Sequence, residues 1–105
     1  MMKYFSRFMV ICLLISFTNI CYADEMFDLG KKIFFGKGNC SSCHVLSNLE
    51  DNGGVAQNLN KIKPDMYRII NTVTEGVGVM PSYKNILSFD DIDSLAVYVY
   101  ESTRK

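Results

Sequence analysis

The chain has 105 residues, of which 49% are hydrophobic, and its 11 basic and 11 acidic side chains leave no formal net charge. This length admits one small domain, whose hydrophobic core alone is only marginally stabilising. The balanced charge argues against general nucleic-acid binding, which requires a strongly basic face.

Residues 1–23 have the layout of a secretory signal peptide. Lys3 and Arg7 precede an unbroken apolar run over residues 8–15, and small residues follow at the positions that determine cleavage. We therefore expect export to the periplasm and cleavage after Ala23.

Cleavage leaves residues 24–105, which is 82 of the 105 residues, as a single domain. Because Lys3 and Arg7 are lost, this domain has nine basic and eleven acidic residues. Two other fates of the leading segment stay open. An uncleaved membrane anchor would be short, since a span needs ~20 apolar residues. Lipoprotein processing at Cys21 would lack the motif that normally precedes such a cysteine.

Residues 24–35 are predicted to form the first helix of this domain. Acidic residues in its first turns suit the positive end of a helix dipole, and the glycines at 36 and 38 predict where it ends. Gly30 in the helix interior costs about 1 kcal/mol relative to Ala, which indicates that another backbone approaches it closely. Apolar residues recur at helical spacing: Met26, Leu29, Ile33 and Phe34.

The next segment, Cys40-Ser41-Ser42-Cys43-His44, is the attachment signature of a c-type haem. Two thiols three positions apart can each bond one vinyl group of the same porphyrin, and His44 follows where its imidazole can bind the iron. His44 is the only histidine in the sequence, so an iron held through histidine is held by His44.

A Cys-x-x-Cys pair alone is also typical of a thioredoxin-like redox site, of half a zinc site or of a disulfide. A zinc site needs two further ligands, and the other cysteines, Cys12 and Cys21, lie in the segment predicted to be removed. A thioredoxin-like site needs a βαβ pattern, which the sequence lacks. A disulfide stays open, although it does not account for His44 directly after the second cysteine.

Residues 45–60 are rich in Ser, Asn, Asp and Gly and are predicted to form a loop. Its apolar residues are expected to cover apolar surface: Leu46, Leu49, Val55 and Leu59. Pro64 and Asp65 predict the start of the next helix, and Gly76 predicts its end. The stripe of that helix has i, i+3, i+4, i+7 spacing: Met66, Ile69, Ile70 and Val73.

Residues 76–83 predict a stiff, irregular loop, because two glycines and a proline suit neither a helix nor a central strand. Methionine is an adaptable core filler, so Met80 by itself would be interpreted as packing. An iron held by His44 has no second histidine, however, and a thioether is the ligand used in cytochromes c. Met26 and Met66 fall in predicted helices, which leaves Met80 as the predicted sixth ligand. A lysine would first have to lose its proton.

Ser88-Phe89-Asp90-Asp91 is a capping-box pattern with Asp in place of Glu, and it predicts the start of a C-terminal helix. The apolar stripe that follows is expected to be core: Phe89, Ile92, Leu95, Ala96 and Val99.

From the start of the predicted domain to Arg104, the chain resembles a small class I cytochrome c of the bacterial short-chain, c6-like type. The resemblance implies an all-α fold, with three to four short helices wrapped around one covalently bound haem c. Within it, Cys40 and Cys43 form the thioethers, and His44 and Met80 are the axial ligands of the iron. The matching segments are Gly30-x-x-x-Phe34, Cys40-x-x-Cys43-His44, Asn58-Leu59, Gly76-x-Gly78-x-Met80-Pro81 and Leu95-x-x-Tyr98.

The resemblance also implies that the first and last helices cross at right angles, through Gly30, Phe34, Leu95 and Tyr98. One position departs from the family pattern. Gln57 stands where the family often has a proline whose carbonyl accepts the hydrogen bond of the haem-ligating histidine. Such an acceptor normally orients a ligating imidazole. Gln57 keeps a backbone carbonyl, so the bond can form in a less rigid loop.

These features predict an electron-transfer protein and not an enzyme, because an iron with two protein ligands leaves no open position for a substrate. We expect a monomeric periplasmic mono-haem cytochrome that shuttles single electrons, with neither a small-molecule substrate nor a nucleic-acid partner. By resemblance, its redox partners are a quinol–cytochrome c oxidoreductase and a terminal oxidase or dehydrogenase. Two alternatives stay open: a tightly bound haem subunit of a dehydrogenase or oxidase complex, and an open-site, ligand-binding or peroxidase-like haem protein.

Overall fold

The computed structural model describes residues 2–46 and 56–105, and over residues 13–21 it describes the backbone alone. These parts of the chain form α1 (Met2–Phe35), a 3₁₀ turn (Cys40–Ser42), α2 (Leu59–Ile62), α3 (Met66–Glu75) and α4 (Phe89–Ser102). Within them the one β pairing is an isolated bridge between Val77 and Met80. The predicted all-α fold class is therefore confirmed.

Residues 24–35 are helical and the helix ends at Phe35, as predicted, and in the uncleaved chain α1 continues back to Met2. The acidic residues after Ala23 suit a helix start, but they do not impose one when helix-forming residues precede them. At the other end, the N–H groups of Gly36 and Gly38 both donate to the carbonyl of Ile33, at 3.3 and 2.9 Å, and close the helix. The predicted signal segment includes residues 13–21, and the side chains of those residues are not part of the described structure.

Within the described residues, no helix combines the length and the apolar character that crossing a membrane requires.

Helices α1 and α4 pack directly against each other at Gly30. A Cβ atom on Gly30 would overlap the carbonyl oxygen of Ser94 and would lie 2.7 Å from the Cβ of Tyr98. One turn later, the ring of Phe34 lies 5.6 Å from the ring of Tyr98, centroid to centroid. Leu95 is 1% exposed at the same interface. The close backbone approach predicted from the helix-interior glycine is therefore confirmed.

The core is one cluster of buried apolar side chains from all four helices and from Leu87. Met66 and Ile70 of the predicted stripes are partly buried and pack against this cluster. Three other stripe residues do neither: Met26 is half-buried, Leu29 is 40% exposed and Phe89 is 83% exposed. Phe89 continues the helical spacing of the α4 stripe, but it is the first residue of the helix and no described residue covers it. The buried members are Ile33, Phe34, Leu59, Ile69, Val73, Leu87, Ile92, Leu95, Ala96, Tyr98 and Val99.

The segment between the 3₁₀ turn and α3 is described from residue 56 onward. Leu59 is buried and Leu46 packs against the core, as predicted, whereas Leu49 and Val55 lie outside the described residues. Asn58 caps α2, since its side-chain oxygen accepts a hydrogen bond from the N–H of Asn60 at 2.9 Å.

The start of α3 is set by Asp65. Its carboxylate accepts a hydrogen bond from the N–H of Arg68 at 2.8 Å, so it is the N-cap, and helix α3 starts at Met66. Pro64 lies directly before this cap, so the helix starts where Pro64 and Asp65 predict it. A proline has no N–H group to donate. The carboxylate of Asp65 accepts a hydrogen bond from one of the N–H groups at the start of α3, which would otherwise have no partner within the helix.

The capping box predicted for α4 is present. The Ser88 hydroxyl accepts from the N–H of Asp91 at 3.1 Å, and the Asp91 carboxylate accepts from the N–H of Ser88 at 3.3 Å. The same carboxylate lies 2.6 Å from the Lys37 ammonium, which ties the segment after α1 to the start of α4.

Candidate functional site

A cavity of about 470 Å³ opens between α3, α4, the segment around the 3₁₀ turn and the loop after α3. Its wall is largely apolar and includes Phe34 of α1, Ile69 and Val73 of α3, and Leu95 and Val99 of α4. A second depression, of about 870 Å³, lies along Met2–Val10 of α1, within the predicted signal segment, and contains none of the predicted site residues.

The structure brings three of the four predicted site residues to the first cavity. Cys40, His44 and Met80 line it, whereas Cys43 is exposed and does not. Cys43 follows the 3₁₀ turn, and its N–H donates to the carbonyl of Cys40 at 3.2 Å. No disulfide joins Cys40 and Cys43 in this structure.

The thiols do not resemble a thioredoxin-type pair. Burial raises the pKa of Cys40 to about 11, with its own backbone hydrogen bond acting in the opposite sense and Cys43 adding a smaller increase. A redox-active pair needs a thiol whose pKa is lowered, because the thiolate is the reactive form. The environment of Cys40 therefore suits covalent attachment within an apolar wall better than thiol exchange.

The imidazole of His44 is oriented by a main-chain acceptor. Its Nδ1 lies 3.0 Å from the carbonyl oxygen of Gln57. Since a carbonyl oxygen only accepts, Nδ1 carries the hydrogen and donates. In a neutral imidazole the lone pair is then on Nε2, which is the nitrogen left to bind a metal. Gln57 thus supplies the acceptor that the family takes from proline, and the hydrogen bond forms without the proline.

Met80 closes a tight turn directly after α3. Gly76 ends the helix with a φ of 75° and donates its N–H to the carbonyl of Thr72 at 2.8 Å. Val77 and Met80 then exchange two backbone hydrogen bonds, of 3.1 and 2.9 Å, across Gly78, whose φ is 56°. These positive φ values favour glycine, which explains both glycines of the predicted loop.

The turn packs back on its own start. A Cβ on Gly76 would lie 2.7 Å from the carbonyl oxygen of Met80 and 2.9 Å from the carbonyl carbon of Pro81. Around Gly78, in contrast, nothing lies within 4 Å of an added Cβ. The backbone of Met80 is therefore held against the end of α3, which agrees with the stiffness predicted for this loop.

Two further residues of the site were not found from the sequence. Tyr83 donates its phenolic O–H to the carbonyl of Gly38 at 2.7 Å, and Arg68 lines the cavity. A tyrosine after the Met-Pro pair and an arginine beside an apolar stripe look like ordinary surface positions. Arg68 and Thr72 both line the cavity. Their spacing of four residues predicts that they share one face of α3, and this was the only signal of Arg68 in the sequence.

The residues of the cavity fit a haem with two protein ligands. His44 and Met80 both line one apolar space, and a histidine with a methionine is the ligand pair of cytochromes c. A thiol from the attachment motif lines the same space. Arg68 is the one charged residue among the described lining residues.

Comparison with known proteins gives the same picture. The family model described as cytochrome c oxidase, cbb3-type, subunit III matches residues 25–99. Cytochrome c6 of Leptolyngbya boryana is 35% identical over 80 residues, which is 72% of this chain and 92% of that protein. Cytochrome c6 of Microcystis aeruginosa is 34% identical over 82 residues, covering 72% of this chain and 96% of that protein. The crystal structure of the c-type cytochrome SorU from Sinorhizobium meliloti superposes with a TM-score of 0.67 and 36% identity, over 78% of this chain and 95% of that one.

Proposed function

The chain belongs to the small class I c-type cytochromes, electron-transfer proteins with one covalently bound haem c, and from this premise we propose that it is a periplasmic carrier. In this proposal it moves single electrons between respiratory redox partners as a free monomer and has no substrate of its own. When bound, the haem supplies reversible one-electron chemistry at its iron. The chain's own residues hold it, fix its surroundings and limit access to the metal.

The observation that carries the proposal is that His44 and Met80 line the same apolar cavity. His44 offers Nε2 because its Nδ1 is engaged by Gln57. Met80 offers a thioether from a turn held against the end of α3. If both residues bound a haem iron, the iron would have no free position for a substrate or for oxygen, which favours electron transfer over catalysis.

Cys40 and Cys43 are the residues that would attach the haem through thioether bonds. Cys40 lies in the cavity wall, whereas Cys43 is exposed and does not line the cavity. The covalent link adds a large apolar group to the centre of a domain whose own core is small.

Arg68 is the residue best placed to meet the carboxylates of a haem. Its α3 neighbours Ile69 and Thr72 line the cavity with it. A guanidinium pairs with carboxylates in a planar, two-point geometry. A cation near the iron also disfavours the ferric state, so Arg68 would raise the reduction potential.

An electron carrier of this kind must dock to a protein that donates electrons and to a protein that accepts them. Carrier encounters are brief and use small interfaces, and a domain of this size offers little more. The partners that fit are a quinol–cytochrome c oxidoreductase as donor and a terminal oxidase or dehydrogenase as acceptor. Periplasmic location rests on the signal-like segment over residues 1–23.

The haem attachment is tested by a haem-stained denaturing gel together with a reduced-minus-oxidised spectrum of the native protein. We expect the haem to remain with the polypeptide on the gel and Cys40→Ala together with Cys43→Ala to abolish that stain. An unstained wild-type band would overturn the proposal.

The sixth ligand is tested by the variant Met80→Ala. Loss of the thioether should lower the reduction potential markedly, because methionine ligation raises it. It should also let carbon monoxide bind the ferrous protein at once, whereas the wild type binds slowly. An unchanged potential by voltammetry would show that another residue is the ligand. Immediate carbon monoxide binding by the wild type would favour the open-site alternative.

A second function has one observation in its favour, the match of residues 25–99 to a family model described as an oxidase subunit. The chain would then transfer electrons inside a larger enzyme. Size-exclusion chromatography of the native protein distinguishes the two: a free small domain supports the carrier, and a stable complex supports the subunit.

A further inference from the structure

Tyr83 lies where three segments of the site meet. Its N–H donates to the carbonyl of Val73 in α3 at 2.9 Å, and its own carbonyl accepts from the N–H of Leu87 at 2.8 Å. Its phenolic O–H donates to the carbonyl of Gly38 at 2.7 Å. Gly38 is buried and in turn donates its N–H to the carbonyl of Ile33 at the end of α1.

These bonds differ in what they join. The loop over residues 76–83, called here the Met80 loop, is tied back to α3 by two hydrogen bonds from its last two residues. One runs from the N–H of Tyr83 to the carbonyl of Val73, and the other runs from Ser82 Oγ to the carbonyl of Thr74. Among the described residues, the phenol of Tyr83 makes the only hydrogen bond from this loop to the segment that leads into Cys40. These two hydrogen bonds therefore hold the end of the loop to α3, whereas, in the described part of the chain, only the bond from the phenol of Tyr83 to Gly38 holds it to the segment that leads into Cys40.

The phenol is suited to a permanent donor role. Burial is the main cause of a raised pKa at the Tyr83 hydroxyl, so the hydroxyl remains protonated at neutral pH. Its acceptor is a main-chain carbonyl, which has no charge state to change. The bond is therefore kept across the working pH range.

We propose that the hydroxyl of Tyr83 is a positioning group that latches the Met80 loop to the haem-attachment segment and so limits how often Met80 leaves the iron. The inference rests on the proposed function, in which Met80 is the sixth ligand. Removing the hydroxyl leaves the α3 anchors in place, so the loop opens about α3 while the rest of the domain stays folded.

The test compares Tyr83→Phe with the wild type as holoproteins. Carbon monoxide is mixed with the ferrous protein, and the rate of binding reports how often the Met80 side of the iron is open. We expect the rate to rise about fivefold, which corresponds to about 1 kcal/mol at 1.36 kcal/mol per tenfold. The ring of Tyr83 is retained in this variant, so the domain is expected to fold.

Two matched controls remove a phenol elsewhere. Tyr98→Phe removes the hydroxyl of a tyrosine in α4 that is 7% exposed, and Tyr67→Phe removes one from a residue that is 80% exposed. Both should keep the wild-type carbon monoxide rate. Tyr98→Phe should lower the thermal unfolding midpoint at least as much as Tyr83→Phe does, which separates local opening from general destabilisation.

The possible outcomes are distinct. A Tyr83→Phe rate equal to that of the wild type, with Met80→Ala binding carbon monoxide at once, overturns the latch and leaves Met80 ligation intact. A rise of the same size in Tyr98→Phe also overturns it, because the effect would then be general. Immediate binding by the wild type overturns ligation by Met80 and, with it, the latch.

Discussion

The imidazole of His44 is oriented by a peptide carbonyl and not by a side chain. The acceptor is the carbonyl oxygen of Gln57, at 3.0 Å from Nδ1, while the Gln57 residue itself is exposed. A proline at this position would present the same atom. The chemistry of the contact is therefore independent of the residue type, and what proline would add is rigidity of the loop.

This arrangement makes Gln57→Ala an informative variant. We expect its reduction potential to match that of the wild type within the error of voltammetry, because the carbonyl that orients His44 is unchanged. Met80→Ala in the same series should lower the potential and shows that the measurement responds to the iron's surroundings. A drop in Gln57→Ala approaching that of Met80→Ala would mean that the side chain, and not the carbonyl, braces His44.

The residues of the proposed site differ in how easily they can be predicted from the sequence. Cys40, Cys43 and His44 are readable because the chemistry of attachment fixes their spacing along the chain. Met80 followed by elimination, since the chain has one histidine and the other candidate methionines fall in helices. The hydrogen bond from Tyr83 to Gly38 joins residues 45 positions apart, and no local pattern encodes it.

At the scale of the elements, the α1–α4 crossing depends on the absence of a side chain at Gly30. The carbonyl of Ser94 occupies the space that a Cβ would take, and the Cβ of Tyr98 lies 2.7 Å from it. Because both obstacles are backbone or the base of a side chain, neither can move without shifting α4. The rings of Phe27 and Phe34, at 5.1 and 5.6 Å from that of Tyr98, pack around the same point.

Gly30→Ala should therefore destabilise the protein, although alanine is the better helix former by about 1 kcal/mol. Overpacking of this kind typically costs 1–3 kcal/mol net, so we expect about 2 kcal/mol by denaturant unfolding. Lys31→Ala is the control, because Lys31 is exposed on the same helix and should change stability by less than about 0.5 kcal/mol. Equal stabilities for Gly30→Ala and the wild type would mean that the helices separate without penalty.

Helix ends follow the sequence where a specific group satisfies the backbone. Ser88 and Asp91 form the predicted capping box, and the glycine after Glu75 ends α3 as expected. Residues 24–35 are helical as predicted, and in the uncleaved chain the helix continues back to Met2, because acidic residues favour a helix N-terminus without interrupting a helix that is already formed. Phe89 shows a related limit: helical spacing identifies a face, but burial depends on which neighbouring element extends far enough to cover it.

At the scale of the whole molecule, an ion pair connects the haem-attachment side to the C-terminal helix. The Lys37 ammonium lies 2.6 Å from the Asp91 carboxylate. The hydrogen bond from Lys37 is the main cause of a lowered pKa at Asp91, assisted by the Ser88 N–H and partly opposed by burial. Because the folded-state pKa lies below the unfolded value of about 3.9, the pair stabilises the fold above that pH. Its contribution is lost as the pH falls through the folded-state pKa.

Asp91→Asn should therefore lower the unfolding midpoint at pH 7, by an amount equivalent to about 1 kcal/mol or less, as expected of a partly exposed pair. The difference from the wild type should shrink as the pH is lowered below about 4. Asp93→Asn, an exposed position on the same helix, is the control and should show no such convergence. Thermal unfolding followed by circular dichroism at several pH values makes the comparison. A difference that persists unchanged in acid would assign the effect to helix capping alone.

The predicted cleavage after Ala23 also concerns the whole molecule. On α1, the side chains of residues 2–12 and 22–25 are exposed, and the first residue packed against the core is Phe27. Loss of residues 1–23 therefore removes none of the described core. We predict that the protein isolated from the periplasm has the intact mass of residues 24–105 plus one haem. A variant that replaces residues 1–23 with an unrelated signal peptide should have the same unfolding midpoint. Recovery of the full-length chain in the membrane fraction would instead show that α1 is retained as an anchor.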